Sequence, residues 1–255
     1  MNENRKNVSQ GAVELLLVRH GESLGNVAAT TASMAAAEVV PVEARDADID
    51  LSALGREQSV ALGRALGAML EGRAPDTIWC SPYARAHRTA ALASRTAGWE
   101  LPLHIDERLR DRELGILDTL TALGVESKFP EEARRRRWLG KFYYRPPGGE
   151  SWADVVLRLR SFLLDLERST PGGSILLVTH DAVILLLRYI LEGLSEAQVL
   201  GIAGTSSIFN ASVTRYVRAP GEEPWTLETF NSTGHLASQG VTVTEHGGNT
   251  DVHPR

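Results

Sequence analysis

The sequence predicts an α/β fold, a three-layer sandwich with a mostly parallel central sheet flanked by helices. Two short and largely apolar runs, at 13–18 and 174–178, are typical of parallel strands that are buried on both faces. Amphipathic segments of helical length, such as 52–69, lie between them. Strands that alternate with helices favour one sheet covered on both sides. We expect a single domain at 13–235, with a flexible N-terminus at 1–12 and a flexible C-terminal tail at 236–255.

The first half of the chain alternates apolar runs with amphipathic or Ala-rich segments. Ser52 is placed to cap a long helix, because its hydroxyl can accept a backbone N–H that has no partner inside the helix. The predicted elements are strand 13–18, helix 24–37, an acidic irregular segment 40–50, helix 52–69, strand 77–80, helix 83–96, strand 101–105 and a charged loop 108–115.

The second half begins with an aromatic and Pro/Gly-rich connection. Ser151 then caps a helix whose third residue is Asp154, which is a variant of the capping box. The chain from Ser232 onward is polar and Gly-rich, which predicts a poorly ordered tail. The predicted elements are the connection 142–149, a helix from 151, strand 174–178, helix 182–191 and an antiparallel pair of strands at 207–215 and 225–230.

The composition restricts the classes of partner. A net charge of -5 does not suit a surface for nucleic acid, so any bound phosphate must be held by a local cluster of positive charge. Cys80 is the single cysteine, which excludes an intrachain disulfide and fits a reducing compartment. There is neither an apolar signal core nor an apolar run of membrane-spanning length. We therefore expect a cytoplasmic protein with no membrane partner, and a homodimer is compatible with the sequence.

Two histidines and two arginines lie where predicted strands end. His20 and His180 directly follow apolar runs. Arg19 precedes His20, and Arg85 lies shortly after the predicted strand at 77–80. Ligands of such folds bind beyond the carboxyl ends of the strands. A neutral imidazole is a nucleophile toward phosphorus when its other ring nitrogen is held by a hydrogen bond, and cations stabilise the charged phosphoryl oxygens. These residues predict a phosphoryl-transfer site.

Four ordered blocks of the sequence resemble motifs of the histidine phosphatase superfamily, which includes cofactor-dependent phosphoglycerate mutases. The resemblance covers roughly residues 13–235. It implies a reaction through a phosphohistidine, with a small phosphorylated substrate and with no metal, nucleotide or other cofactor. The blocks are VRHGESLGN at 18–26, SPYARAHRTA at 81–90, PGGESWAD at 147–154 and LVTHDAVILLL at 177–187.

The resemblance also implies roles for individual residues. Ser23 and Asp181 lie within the matching blocks, and we assign them to substrate binding. The implied roles are His20 as the phosphorylated nucleophile, Arg19, Arg85 and His180 as ligands of the phosphoryl group, and Asn26 as a further contact.

The proton donor is open between three carboxylates. The family usually places a Glu four residues before a Gly, and here Asp111 has that position before Gly115. Glu113 could replace Asp111 if the loop shifts. Asp181 follows the second histidine, where the acid-phosphatase branch has its donor, but capping the next helix explains Asp181 equally well. We favour Asp111, then Glu113, then Asp181.

Other charged residues have less specific interpretations. Four arginines at 134–137 could bind an anionic substrate, although a solvated helix face also explains them. Arg145 could reach the pocket or simply pack beside two tyrosines, and Glu150 could contact substrate or begin a helix at its favourable end. The late histidines lack the spacing of metal ligands, so we predict no metal site; they are His235, His246 and His253.

Three functions are compatible with these motifs: a phosphatase acting on a phosphorylated metabolite or phosphoprotein, a phosphoglycerate mutase, and a non-catalytic binding module on the same fold. Leu24 and Gly25 stand where mutases usually have Glu-Trp, and DRELG at 111–115 replaces the mutase acid block. The presence of both histidines and both arginines argues against a non-catalytic module. We therefore predict a phosphoric monoester hydrolase.

Overall fold

A computed structural model describes residues 12–169, 173–219 and 224–246. The predicted flexible N-terminus, apart from Ala12, and the end of the predicted tail at 247–255 lie outside the described residues. The described strands are β1 (Glu14–Arg19), β2 (Thr77–Cys80), β3 (Leu103–Ile105), β4 (Ser174–Thr179), β5 (Val213–Val217) and β6 (Thr226–Ser232).

These strands form one six-stranded sheet in the order β3-β2-β4-β1-β5-β6. β1 pairs in parallel with β4, and β2 pairs in parallel with both β3 and β4. β5 is antiparallel to β1 and to β6. The predicted mostly parallel sheet is therefore confirmed, with its antiparallel pair at one edge.

Helices cover both faces of the sheet. Leu15 and Leu17 of β1 belong to the larger core, whereas Leu16 and Val18 belong to a second core on the opposite face. This alternation explains the continuous apolar runs, because every residue of a central strand is buried on one face or the other. The α-helices of the described ranges are α1 (Leu24–Met34), α2 (Ala53–Met69), α3 (Ala84–Ala97), α4 (Ala122–Lys128), α5 (Pro130–Tyr143), α6 (Trp152–Ser169), α7 (Asp181–Leu191), α8 (Glu196–Thr205) and α9 (Gly234–Ala237).

The predicted caps fix where two long helices begin. Ser52 Oγ accepts the Gly55 N–H at 2.9 Å at the start of α2. Ser151 Oγ accepts the Asp154 N–H at 3.1 Å, and the Asp154 carboxylate accepts the Ser151 N–H at 2.8 Å, which completes a capping box at α6. Both predictions are confirmed. None of the helices within the described ranges combines the length and apolar character needed to span a membrane.

Two predictions about the last third of the chain are wrong. The strand predicted at 207–215 begins only at Val213, because the preceding backbone turns to contact the end of β1 instead of joining the sheet. The tail predicted to be poorly ordered is regular or bonded as far as residue 246. Leu236 of α9 is fully buried against Ala61, and Gln58 donates to the Thr242 carbonyl at 3.0 Å. Polar composition did not reveal this, because the residues that the tail contacts, such as Gln58 and Ala61, are distant in sequence.

Three helices of the second half, α4, α5 and α8, were not predicted from the sequence. The arginine run 134–137 lies within α5. Arg134 pairs with Glu131 and Arg137 with Glu126, all four on exposed side chains. The solvated-face interpretation describes these two arginines.

Candidate active site

The ends of three neighbouring strands bring the predicted residues together. Arg19 is the last residue of β1 and His20 follows it, whereas His180 follows β4 and directly precedes α7. Arg85 lies in the first turn of α3, shortly after β2 ends. Because β2, β4 and β1 are adjacent in the sheet, their carboxyl ends form one edge.

Two glycines allow the loop after β1 to approach α2. A Cβ on Gly21 would lie 2.4 Å from the Gly55 carbonyl oxygen, and a Cβ on Gly55 would lie 1.9 Å from the Glu22 carbonyl oxygen. The Gly21 N–H also donates to Thr89 Oγ1 at 3.0 Å. The loop that carries His20 is thereby held between α2 and α3.

His20 is buried and its ring orientation is fixed. Its Nδ1 lies 2.7 Å from the Gly21 carbonyl oxygen, which can only accept, so Nδ1 bears the proton and Nε2 has the lone pair. Arg85 Nε donates to Nε2 at 3.2 Å. Burial, reinforced by the positive charge of Arg85, holds the pKa of His20 well below its usual range. The imidazole is therefore neutral near pH 7.

His180 packs edge-on against His20, with ring centroids 5.1 Å apart. Its Nε2 lies 2.8 Å from Ser81 Oγ. Its Nδ1 is 3.3 Å from an Asp111 carboxylate oxygen, although the two are not aligned as a hydrogen bond. Burial, followed by the charges of Arg85 and Arg19, holds the pKa of His180 well below its usual range.

Arg19 is buried beside the β1 end. Its guanidinium donates to the Ile208 carbonyl and, at 3.2 Å, to the His246 carbonyl. Its Nε has no hydrogen-bond partner among the described residues. Burial lowers the pKa of Arg19, and the charges of Asp181 and Asp111 oppose that change. Arg19 therefore offers a buried donor that is not yet used.

Arg85 differs, because all five of its N–H groups already have acceptors. Nε donates to His20, and the two terminal nitrogens donate to the Asp46 carbonyl at 2.6 Å and to the Asp46 carboxylate at 3.0 and 3.1 Å. The fifth bond goes to Asp111 at 3.1 Å. Burial works against the charge of Arg85, but the Asp46 and Asp111 carboxylates raise its pKa.

The three candidate proton donors occupy different places. The Asp111 carboxylate touches both Arg85 and His180. The Glu113 carboxylate accepts the Tyr83 hydroxyl at 2.7 Å, and its side chain is 47% exposed. Asp181 is the first residue of α7, and its carboxylate accepts the N–H of the next residue at 2.7 Å. Of the three, Asp111 is the one whose carboxylate lies within 3.3 Å of both Arg85 and His180.

Ser23 and Asn26 form the capping box of α1. Ser23 Oγ accepts the Asn26 N–H at 3.0 Å, and Asn26 Oδ1 accepts the Ser23 N–H at 3.1 Å. The Asn210 amide donates to Asn26 at 3.3 Å and to the His20 carbonyl at 3.2 Å. The structure thus places both residues next to the loop of His20, and their contact with substrate, like that of Asp181, stays a prediction.

The remaining charged candidates are engaged with other residues. Arg145 pairs with Asp154, and Glu150 accepts from Arg158 at 3.0 Å and from Arg110. His235 lies on α9 and is buried. No group of three metal-binding side chains occurs in the part of the chain that the structure describes.

Sequence reasoning missed three residues around the site. Asp46 was part of a segment described only as acidic and irregular, and Asn210 was assigned to a strand. His246 bonds through Nε2 to Glu22 at 2.9 Å and through Nδ1 to Thr30 at 2.6 Å, although it was assigned to the tail. No local pattern marks these positions, because each reaches the site through contacts distant in sequence.

Comparison with known proteins gives a consistent result. A family model described as the histidine phosphatase superfamily (branch 1) matches residues 15–233. A glucosyl-3-phosphoglycerate phosphatase of Mycobacterium tuberculosis is 30% identical over 241 residues, which cover 89% of this chain and 98% of that protein. A 2,3-bisphosphoglycerate-dependent phosphoglycerate mutase of Methylobacterium radiotolerans is 31% identical over 72% of this chain and 82% of its own length.

A solved structure confirms the fold. The native mycobacterial glucosyl-3-phosphoglycerate phosphatase superposes with a TM-score of 0.68 at 28% identity, covering 87% of this chain and 99% of that one. The resemblance read from the four sequence blocks is therefore confirmed.

Proposed function

This chain belongs to branch 1 of the histidine phosphatase superfamily, and from that premise we propose that it hydrolyses phosphomonoesters through a phosphohistidine on His20. The observation that supports this most directly is the orientation of the His20 ring. Its proton is held by the Gly21 carbonyl, and its Nε2 lone pair faces the guanidinium of Arg85. A nucleophile toward phosphorus needs this arrangement of fixed tautomer and adjacent cation.

In the first step we propose, His20 Nε2 attacks phosphorus and the bond between phosphorus and the ester oxygen breaks. Arg19, Arg85 and His180 neutralise the charge of the three phosphoryl oxygens. Asp111 donates a proton to the leaving oxygen, which departs as an alcohol. In the second step Asp111 takes a proton from water, whose oxygen attacks phosphorus, and the bond to Nε2 breaks to release phosphate.

Asp111 is the preferred donor because of what it touches. Its carboxylate lies 3.1 Å from Arg85 and 3.3 Å from His180, so it borders the place where the phosphoryl group would bind. Glu113 is turned toward Tyr83, and Asp181 is bonded at the start of α7. Substrate binding by Ser23, Asn26 and Asp181 is part of the same proposal.

The substrate we propose is a small phosphorylated metabolite. Glucosyl-3-phosphoglycerate is the first compound to test, because the relative of that name aligns along 98% of its length. The mutase alternative is supported by the relative from Methylobacterium, but the mutase residues before Asn26 and in the block at 111–115 are absent from this chain. Efficient conversion of 3-phosphoglycerate to 2-phosphoglycerate with a bisphosphate primer would overturn the choice of hydrolysis.

The decisive variant is His20→Ala. It should abolish turnover of p-nitrophenyl phosphate and of any physiological ester, and no acid-labile phosphoenzyme should be trapped by rapid quench. His104→Ala is a matched control, because His104 stacks on Trp79, at 4.8 Å between ring centroids, and has no contact with the site. Full activity in His20→Ala, with circular dichroism unchanged, would contradict the mechanism.

We further propose a cytoplasmic location, no binding to nucleic acid, and a homodimer. The location is supported by the single cysteine, Cys80, which is buried and has no disulfide partner. The net charge of -5 supports the absence of nucleic-acid binding. Sedimentation equilibrium tests the dimer, which is the commonest oligomer of soluble proteins.

A further inference from the structure

The guanidinium of Arg85 has no donor left for a substrate. An arginine has five N–H groups, and the five hydrogen bonds of Arg85 go to His20, three times to Asp46, and to Asp111. A phosphoryl oxygen can therefore bind Arg85 only when one of these acceptors leaves. Asp46 accepts three of these five hydrogen bonds, more than His20 or Asp111.

Asp46 is suited to leave. Its side chain is 41% exposed, whereas that of Arg85 is 5% exposed, so Asp46 approaches from the solvent side. It lies in a single 3-10 turn, Asp46–Asp48, whose own backbone hydrogen bonds join Asp48 to Arg45 and Ile49 to Asp46. The turn can thus tilt without breaking a bond to the sheet.

The chain on the C-terminal side of this turn is anchored independently. Asp50 pairs with Arg56 of α2 at 2.7 Å and with Arg88 of α3 at 2.8 Å, and Leu51 forms a bridge with Ser23. Loss of the contact between Asp46 and Arg85 would leave these bonds in place. The expected movement is therefore local to the turn.

Electrostatics favours the same movement. Burial raises the pKa of Asp46, Arg85 opposes that rise, and the nearby charge of Asp111 adds to it. Burial likewise raises the pKa of Asp118, and the charge of Asp46 adds to that rise. The ion pair with Arg85 lowers the pKa of Asp46 by less than burial and the nearby Asp111 carboxylate raise it. A phosphoryl group is usually a dianion near neutral pH. If it bound at Arg85 while Asp46 stayed in place, the two negative charges would repel each other.

We propose that Asp46 is an internal competitor for the phosphoryl group: its carboxylate occupies the terminal nitrogens of Arg85 and is displaced when substrate binds. This inference rests on the proposed function, because it takes Arg85 to be a ligand of the phosphoryl group. Return of Asp46 to Arg85 after the reaction helps to expel inorganic phosphate. Asp46 thus sets the affinity of the site for phosphate without touching the phosphorus.

The test is the affinity for inorganic phosphate, measured by isothermal titration calorimetry at pH 7.5. Asp46→Asn keeps the shape of the side chain but removes its charge, and phosphate should bind it about fivefold more tightly, which corresponds to about 1 kcal/mol. Asp46→Ala should change the affinity in the same direction. Asp48→Asn is the matched control, because Asp48 lies in the same turn and bonds Arg45 instead of Arg85.

The outcomes separate the inference from the function on which it rests. Tighter phosphate binding in both Asp46 variants, with Asp48→Asn within twofold of the wild type, supports the inference. Equal or weaker binding in the Asp46 variants overturns it and would make Asp46 a residue that only positions Arg85. Phosphate that binds neither the wild type nor the variants contradicts the proposed function and the inference together.

Discussion

Replacing Asp111 by Asn removes the proposed proton donor, and the expected loss depends on the leaving group. A positioned general acid contributes about 10²–10⁴-fold to the rate, or about 2.7–5.5 kcal/mol of the barrier. Hydrolysis of glycerol phosphate needs this proton, because an alkoxide is a poor leaving group. Nitrophenolate leaves without a proton, so the missing acid alone should slow hydrolysis of p-nitrophenyl phosphate by less than about tenfold.

A second effect of the same substitution must be separated from the first. Asp111 accepts a hydrogen bond of 3.1 Å from Arg85, and weakening a bond to a charged group costs about 1.5–3 kcal/mol. That loss acts on the phosphoryl site, which is common to both substrates. The ratio of kcat/KM for the two substrates therefore cancels it and isolates the role of Asp111 as an acid.

The assay is steady-state kinetics of Asp111→Asn, Glu113→Gln and Asp181→Asn with both substrates. Asp111→Asn should reduce the ratio of glycerol phosphate to p-nitrophenyl phosphate hydrolysis by at least about tenfold. Glu113→Gln and Asp181→Asn should leave this ratio unchanged, because their carboxylates accept hydrogen bonds from the Tyr83 hydroxyl and the Ala182 N–H. An equal loss on both substrates in Asp111→Asn, or a leaving-group effect in either of the other variants, would refute the assignment.

Two further predictions concern stability. The pKa of His20 and of His180 is lowered from 6.5, so below about pH 6.5 the unfolded chain binds protons there that the folded chain does not, and the free energy of unfolding should fall with falling pH. In urea titrations between pH 7.5 and 5.5, His20→Asn should reduce the slope of the free energy of unfolding against pH by up to about 1.4 kcal/mol per pH unit. Identical slopes in the wild type and the variant would contradict the burial argument. Gly55→Ala places a Cβ 1.9 Å from the Glu22 carbonyl and should cost at least about 3 kcal/mol in the same titrations. Gly67→Ala is the control in the same helix, because no atom lies within 4 Å of its Cβ, and it should stabilise the fold by about 0.5–1 kcal/mol. Similar effects of the two substitutions would show that the fold does not require the close approach of Gly55 to Glu22.

The part of the site that could be predicted is the part that the sheet positions. His20 and His180 follow β1 and β4, which pair in parallel with Arg19 opposite Thr179, so the two histidines leave the sheet side by side. Apolar runs in the sequence mark such strands directly, and the residues that follow them must lie at one edge. Arg85 follows from the same reasoning through β2.

The rest depends on contacts that no local pattern encodes. Asn210 bonds the His20 carbonyl across 190 positions of sequence, and Arg19 bonds the His246 carbonyl across 227. A backbone carbonyl is present at every residue, so its use as an acceptor leaves no trace in composition or periodicity. Asp46 was invisible for a related reason, because an acidic irregular segment predicts neither which carboxylate turns inward nor which cation it meets.

The two arginines of the site differ in how fully their N–H groups are bonded. Arg19 has a buried Nε with no partner among the described residues, so a bond from that nitrogen to a phosphoryl oxygen would replace no existing hydrogen bond. Arg85 is bonded at every N–H, and its contact with a phosphoryl group requires the Asp46 carboxylate to leave. The charge of an anion bound beside Arg19 would repel the Asp46 carboxylate. Arg85 is the cation that also touches His20 Nε2. Displacement of Asp46 would thus free the terminal nitrogens of Arg85 for a phosphoryl group beside His20.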